Sequence, residues 1–227
     1  MAKLENCVRN ICATIEILLV LAFSILYIIS KDIIYKEKAM ARLVKGDKFP
    51  DFKVNTIYGA DIVKDITIKE ITGGKPTMFW FLRYMGCPPC RLDVHLLTMK
   101  KPEFDEKGVN IVVVMQSKPE IVLKDMIDKT LPFHLICDTE QELYKTLELG
   151  ERKPGWRDEM TEEDKAKQRY KAGIINELGI VHGEYEGNEE QAPAWFYIDS
   201  DMTVIESHYG KYTSDMPLAD DALAKIK

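Results

Sequence analysis

Cysteine is scarce: the 227 residues hold five, Cys7, Cys12, Cys87, Cys90 and Cys137, an odd number with one close pair. That excludes the framework of a small secreted domain stapled by several disulfides. There is no excess of positive charge either. Lysine and arginine total 31 against 37 aspartates and glutamates, a formal net charge of -6, and no basic stripe is available to follow a phosphate backbone. Nucleic acid is therefore not an expected partner. Internal repeats and low-complexity tracts are absent, and with 46% hydrophobic and 30% charged residues the composition is that of a folded domain.

One long hydrophobic run is present, from Ile11 to Ser30, with Glu16 its only charge. A helix needs about 20 such residues to cross a bilayer, and Glu16 lies close enough to one end to reach the headgroups. No small-x-small cleavage site follows before Lys31-Asp32 and no lipobox precedes Cys7 or Cys12, so an N-terminal membrane anchor is expected. The competing reading is a hydrophobic helix packed on the domain or on a partner. The organisation expected is thus a flank over 1–10, a transmembrane helix over 11–30, a charged connector over 31–45 and one domain over 46–227.

Within the domain, Tyr58-Gly59-Ala60-Asp61 reads as the turn of a hairpin, and Pro76 opens the apolar run Thr77 to Leu82, of the length and type of a strand covered on both faces. Cys90, Val94 and Leu97 then recur at helical spacing until Lys100-Lys101-Pro102 ends or kinks the helix. A strand over 109–115, a helix from Pro119 to about Asp128, a short strand at 135–137 and a helix capped by Asp138 or Thr139 continue the alternation. This βαβα pattern predicts an α/β domain with parallel strands. An antiparallel hairpin over 195–208 and a helix from Pro217 close the chain. The charged stretch 150–191 fits no core element and reads as an insertion with a Thr161-capped helix, either a surface helix over apolar area or a substrate lid or dimer arm.

The chemistry is concentrated at Cys87-Pro88-Pro89-Cys90, between a buried strand and a helix. A sulfur at a helix N-terminus meets unpaired N–H groups and the positive end of the helix dipole, both of which favour thiolate. Cys87 is that sulfur, and Cys90, on the face of Val94 and Leu97, is expected to be the more buried partner. Pro88 and Pro89 suit the first helical positions, where no N–H bond is lost. Arg83 and Arg91 flank the motif as either thiolate-stabilising charges or solvated residues. The alternative is a metal-binding or carrier protein for zinc or copper without redox turnover, with His134 and Cys137 as the second half of a zinc set. Residues three apart on a strand point to opposite faces, which argues against that set, and no metal or cofactor is expected.

Several separated segments agree in order with a known family: Phe81 through Asp93, Gln116-Ser117, Phe133 through Asp138, His182 through Asn188, and His208-Tyr209-Gly210-Lys211. From about Gly46 onward the chain resembles the peroxiredoxin-like redoxins of the alkyl hydroperoxide reductase and thiol-specific antioxidant superfamily. The resemblance implies a thioredoxin-like fold, and thiol-dependent oxidoreductase or antioxidant activity on a disulfide-bearing protein or a peroxide, with an external thiol reductant. It also implies that Pro193, before the penultimate strand, is a cis-proline beside the cysteines, leaving the backbone of Ala192 for a substrate strand. Peroxiredoxins carry threonine or serine three residues before the peroxide-reacting cysteine and proline seven before. Here Tyr84 and Trp80 stand there, which puts peroxidase activity in doubt. The basic residues beyond the anchor favour a cytoplasmic domain, whereas anchored thioredoxin-like domains commonly face outward, so the side of the membrane stays open.

Overall fold

The computed structural model describes residues 42–226. The flank, the expected membrane span and most of the connector lie outside the described residues. Among the described residues no helix is long and apolar enough to cross a membrane.

The first strands among the described residues form an antiparallel hairpin, β1 (Lys53–Gly59) and β2 (Asp61–Thr67), paired Tyr58 to Asp61 at the expected turn. A short helix α1 (Ile68–Thr72) follows, its first turn closed by a reciprocal capping box between Thr67 and Glu70. Then come β3 (Thr77–Phe81), α2 (Pro88–Glu106), β4 (Asn110–Met115), α3 (Pro119–Asp125), β5 (Leu131–Cys137), α4 (Glu142–Thr146), α5 (Glu162–Glu177), β6 (Ala194–Ile198), β7 (Val204–Tyr209) and α6 (Ala219–Leu223). The seven strands form one sheet in the order β2-β1-β5-β4-β3-β6-β7. β3, β4 and β5 run parallel, as the alternation predicts, and the remaining pairings are antiparallel, so the sheet is mixed.

Every residue of β3 is buried because it lies inside the sheet, between β4 and β6, with both faces covered. Its side chains divide by the two-residue period: Met78 and Trp80, followed by Leu82 just beyond the strand, enter one cluster with Val94, Leu97 and Phe104 of α2, while Phe79 and Phe81 enter the other with Tyr144 of α4. Asp138 does cap α4, from three residues before its N-cap Gln141: its carboxylate accepts the N–H groups of Glu142 and Leu143 at 2.9 and 2.8 Å.

Helix α2 does not stop at Pro102 but continues to Glu106. An interior proline costs about 3 kcal/mol. Phe104, fully buried with its ring 6.0 Å from that of Trp80, returns about 1.5–3 kcal/mol on burial. The last turn is held by that contact and not by propensity. The insertion's helix α5, with Thr161 Oγ1 accepting from the Asp164 N–H at 3.1 Å, packs against α2. An ion pair of 2.6 Å between the buried Lys171 and Asp93 joins the two helices.

Candidate active site

Strand β3 delivers the chain to the turn Leu82–Gly86, and α2 begins immediately after it. Cys87 is the N-cap of α2, in extended conformation, with Pro88 and Pro89 in its first turn, as the sequence predicts. Cys87 and Cys90 are both enclosed, at 0% and 1% exposure, and both are free thiols in this structure, as is Cys137. The expected contrast between an exposed and a buried sulfur is therefore absent.

Arg83 donates from Nη2 to Cys87 Sγ at 2.9 Å, and from Nη1 to the carbonyl of Glu189 at 2.8 Å. Arg91 donates from Nε to the carbonyl of Met85 and from Nη2 to that of Val181, at 3.2 and 3.0 Å. Of the two flanking arginines, one touches sulfur and the other braces backbone. Neither is a free, solvated flank residue.

Burial opposes ionisation of both sulfurs. At Cys90 it is outweighed by the hydrogen bond from Cys87 and by the charge of Arg83, and the pKa comes down to about 6. At Cys87 burial acts together with the hydrogen bond and charge of Cys90 and pushes the pKa well up, against the pull of Arg83. The expectation that Cys87 alone is ionised is thus corrected. At the N-terminus of α2 the surroundings thus favour ionisation of Cys90 over Cys87, with the Arg83 guanidinium beside the pair. Cys137 has no such neighbours, and burial pushes it up to about 12.

The motif from His182 to Asn188, for which the sequence offers no mechanism, forms a strap over the catalytic turn. The Gly183 N–H donates to the carbonyl of Gly86 at 2.9 Å, Asn188 N–H donates to Gln116 Oε1 at 2.6 Å, and Tyr84 Oη meets His182 Nε2 at 3.3 Å. Gln116 and Ser117 form the anvil for this strap: the N–H of Gln116 donates to the carbonyl of Arg83, and that of Met85 to Ser117 Oγ. The sequence signals for the strap are its glycines and the family resemblance of His182 through Asn188. A Cβ at Gly86 would lie 2.0 Å from the carbonyl oxygen of Glu184, and one at Gly183 would lie 3.0 Å from the Cα of Gly86. Two backbones approach so closely that neither position admits a side chain. We expect Gly86→Ala to displace the strap and cost about 1–3 kcal/mol in urea unfolding, with Cys87 becoming faster to alkylate at pH 8. Unchanged alkylation would mean that the strap does not limit access.

Pro193 does not have the expected geometry. No peptide bond among the described residues is cis, so the Ala192–Pro193 bond is trans. Nor is the backbone of Ala192 available to a substrate strand: its N–H donates to the carbonyl of Gly150, and its carbonyl accepts from Gln191 Nε2. The insertion occupies the place assigned to the substrate. His134, the candidate zinc ligand, stacks on Tyr58 with ring centroids 4.7 Å apart. Among the described residues no three His, Cys, Asp or Glu side chains converge on one point.

With the geometry in place, the comparison with known proteins is decisive on family. The AhpC/TSA family model matches residues 45–207. The chain belongs to the AhpC/TSA family. Among curated proteins, the thiol-disulfide oxidoreductase ResA of Bacillus thuringiensis (strain Al Hakam) is 27% identical over 46% of this chain and 58% of its own length. ResA of Bacillus cereus (strain ATCC 10987 / NRS 248) is 27% identical over 57% of this chain and 70% of its own. The chain thus spans a little under three fifths of the first of these relatives. Among solved structures, peroxidoxin BcpB from Mycobacterium tuberculosis superposes with a TM-score of 0.55 at 15% identity, covering 82% of this chain and 97% of that one. Mycobacterium bovis AhpC gives 0.54 at 16% identity, covering 80% and 89%. These likenesses establish the thioredoxin-like fold of this AhpC/TSA chain.

Proposed function

We propose that this chain is a thiol-disulfide oxidoreductase in which Cys87 and Cys90 form a redox-active dithiol. The observation that carries this reading is the seating of Cys87 and Cys90 at the N-terminus of α2 with Arg83 donating to Cys87 Sγ at 2.9 Å, surroundings that draw Cys90 down to about 6. The likeness to the ResA proteins, whose names carry that activity, supports it.

In the reduction of a disulfide, the Cys87 sulfur attacks one sulfur of the substrate while the Cys90 thiolate accepts the Cys87 proton. The substrate disulfide breaks, and its second sulfur leaves as a thiolate that takes up a proton from solvent. Cys90 then loses its proton to the second departing thiolate as its sulfur attacks Cys87. The products are two substrate thiols and a Cys87–Cys90 disulfide, which an external dithiol reduces. Arg83 holds the negative charge at each stage. In reverse, the Cys87–Cys90 disulfide oxidises two substrate thiols and returns to the dithiol, and the reduction potential fixes the direction.

A disulfide is favoured over a peroxide by the residue that stands where peroxiredoxins carry a small hydroxyl. Tyr84 is a buried aromatic residue, and its hydroxyl is engaged with His182. The substrate we favour is a disulfide, with peroxide as the second substrate to assay.

We further propose that residues 11–30 tether this domain to a membrane, from the length and apolarity of that run. The full chain should remain with membranes through an alkaline carbonate wash, while a chain beginning at Arg42 should be released as a folded, soluble protein. Release of the full chain would remove the tether. Protease access in sealed vesicles would assign the side.

A further inference from the structure

Among the charged groups that the dithiol mechanism does not use, one pair is enclosed beside the cysteines. Asp93 follows Cys90 by three residues on α2, so the two side chains share one face of the helix, about 5–6 Å apart at Cβ. Its partner comes from the insertion. Lys171, on α5, reaches the Asp93 carboxylate at 2.6 Å, and the two side chains are only 6% and 14% exposed. Lys171 also lines a cavity together with Arg83 and Pro89, which sets α5 against the catalytic turn as well as against α2.

Packing alone is a poor reason for such a pair. Desolvation of two ions largely offsets their attraction, and apolar side chains of similar size join two helices at least as well. A carboxylate at this point also acts on the chemistry. In a low-dielectric interior, a negative charge one helical turn from Cys90 opposes the thiolate that Cys87 and Arg83 favour. An ammonium bound to that carboxylate offsets its field. Burial pushes the Asp93 carboxyl up, and Lys171, by its charge and its hydrogen bond, draws it back toward the ionised form. The other titratable neighbours of Cys90 are Tyr84, from the turn, and Tyr144, from α4. Burial pushes Tyr84 up to about 12 and Tyr144 well up, so both stay neutral at pH 7.

We propose that Lys171 is a positioning residue of the dithiol: bound to Asp93, it shields Cys90 from the carboxylate, and the insertion thereby sets how readily Cys90 ionises. The inference rests on the dithiol reading above and gives the insertion a part in it.

The test follows each sulfur separately, by NMR titration of the full-length, reduced protein labelled with carbon-13 at cysteine Cβ. Asp93→Asn removes the opposing charge and leaves the ammonium, so the Cys90 midpoint should fall from about 6 by about one pH unit. Adding Lys171→Met to that variant removes the ammonium and should raise the midpoint again. It should stay below the native value, because the carboxylate, one turn away on the same helix, acts more strongly on Cys90 than the ammonium reaching in from α5. At pH 7 a tenfold gain in ionisation stabilises the reduced form tenfold, so the reduction potential of Asp93→Asn should be about 30 mV less negative. Thermal unfolding is measured beside each variant. A pair that only joins helices would lower the unfolding temperature and leave the midpoint in place, which would overturn the proposal. So would a midpoint in Asp93→Asn at or above the native one, or no rise on adding Lys171→Met. Should Asp93→Asn not fold with its ammonium unmatched, the neutral double variant decides alone, and a midpoint at or above the native value overturns the proposal. The titrations need no turnover, so a dithiol that fails to cycle would register in the potential and not in the midpoints.

Discussion

Replacing Cys90 with serine should trap Cys87 as a stable mixed disulfide with its substrate and lower steady-state turnover at least about a hundredfold, because the step that releases the substrate needs a second sulfur. Two effects combine in this variant. The hydrogen bond and negative charge of Cys90, which help to push the Cys87 pKa up, are removed, while the charge of Arg83, which draws it down, stays. Cys87 should therefore titrate lower in Cys90→Ser than in the native protein and remain able to attack. Resolution is what fails. Cys87→Ser should accumulate no adduct at all, although its Cys90 sulfur keeps the Arg83 charge nearby. Mass spectrometry of each variant after incubation with a disulfide substrate separates the two. An adduct on Cys90 in Cys87→Ser, with none on Cys87 in the other variant, would reverse the assignment of attacking and resolving sulfur.

The second large effect concerns Arg83. Its positive charge favours the thiolate, so Arg83→Gln should raise the first ionisation of the pair from about 6 toward the ordinary free-thiol value near 8.5. The sign is fixed by the charge: below its pKa the dithiol is protonated and slow, and raising the pKa moves the onset of reactivity to higher pH. A rise of about two pH units lowers the reactive fraction at pH 7 roughly tenfold, and the loss should disappear as the pH approaches 9. The pH profile of iodoacetamide alkylation reads this directly. Arg83→Lys, which keeps the charge but not the forked contact to sulfur and to the Glu189 carbonyl, should fall between the two. A profile in Arg83→Gln with its midpoint still near 6 would remove Arg83 from the site's electrostatics and leave the helix terminus as the cause.

Much of the scaffold was legible in the chain because its strongest signals are local. The apolar run ending at Leu82, the cysteine motif and the i, i+4, i+7 spacing of Cys90, Val94 and Leu97 define strand, turn and helix without reference to anything distant. The extent of α2 was not legible, because Pro102 is a local stop signal and the contact of Phe104 with Trp80 that overrides it is tertiary. The site divides in the same way. Cys87, Cys90 and the two prolines announce themselves by spacing, whereas Arg83 and Arg91 flank the motif with equal plausibility until the turn places one guanidinium on sulfur and the other on carbonyl groups. The strap over 182–188 has no periodicity to read, and its seat depends on Gly86 and Gly183 meeting backbone to backbone, nearly a hundred residues apart in sequence. Pro193 misled for a related reason: its position before β6 fits the family, but the inserted segment fills the space and the hydrogen bonds a substrate strand would need.

The central claim is that Cys87 and Cys90, and no other pair, interconvert between dithiol and disulfide. Its most direct test is to equilibrate the protein across a series of reduced and oxidised dithiothreitol ratios, block the remaining thiols, and map the peptides by mass. The account predicts one reversible transition in which the peptide spanning Cys87 and Cys90 loses two hydrogens while Cys137 stays a blockable thiol throughout. A Cys87 and Cys90 pair that remains reduced at every ratio, or a disulfide that recruits Cys137, would contradict it.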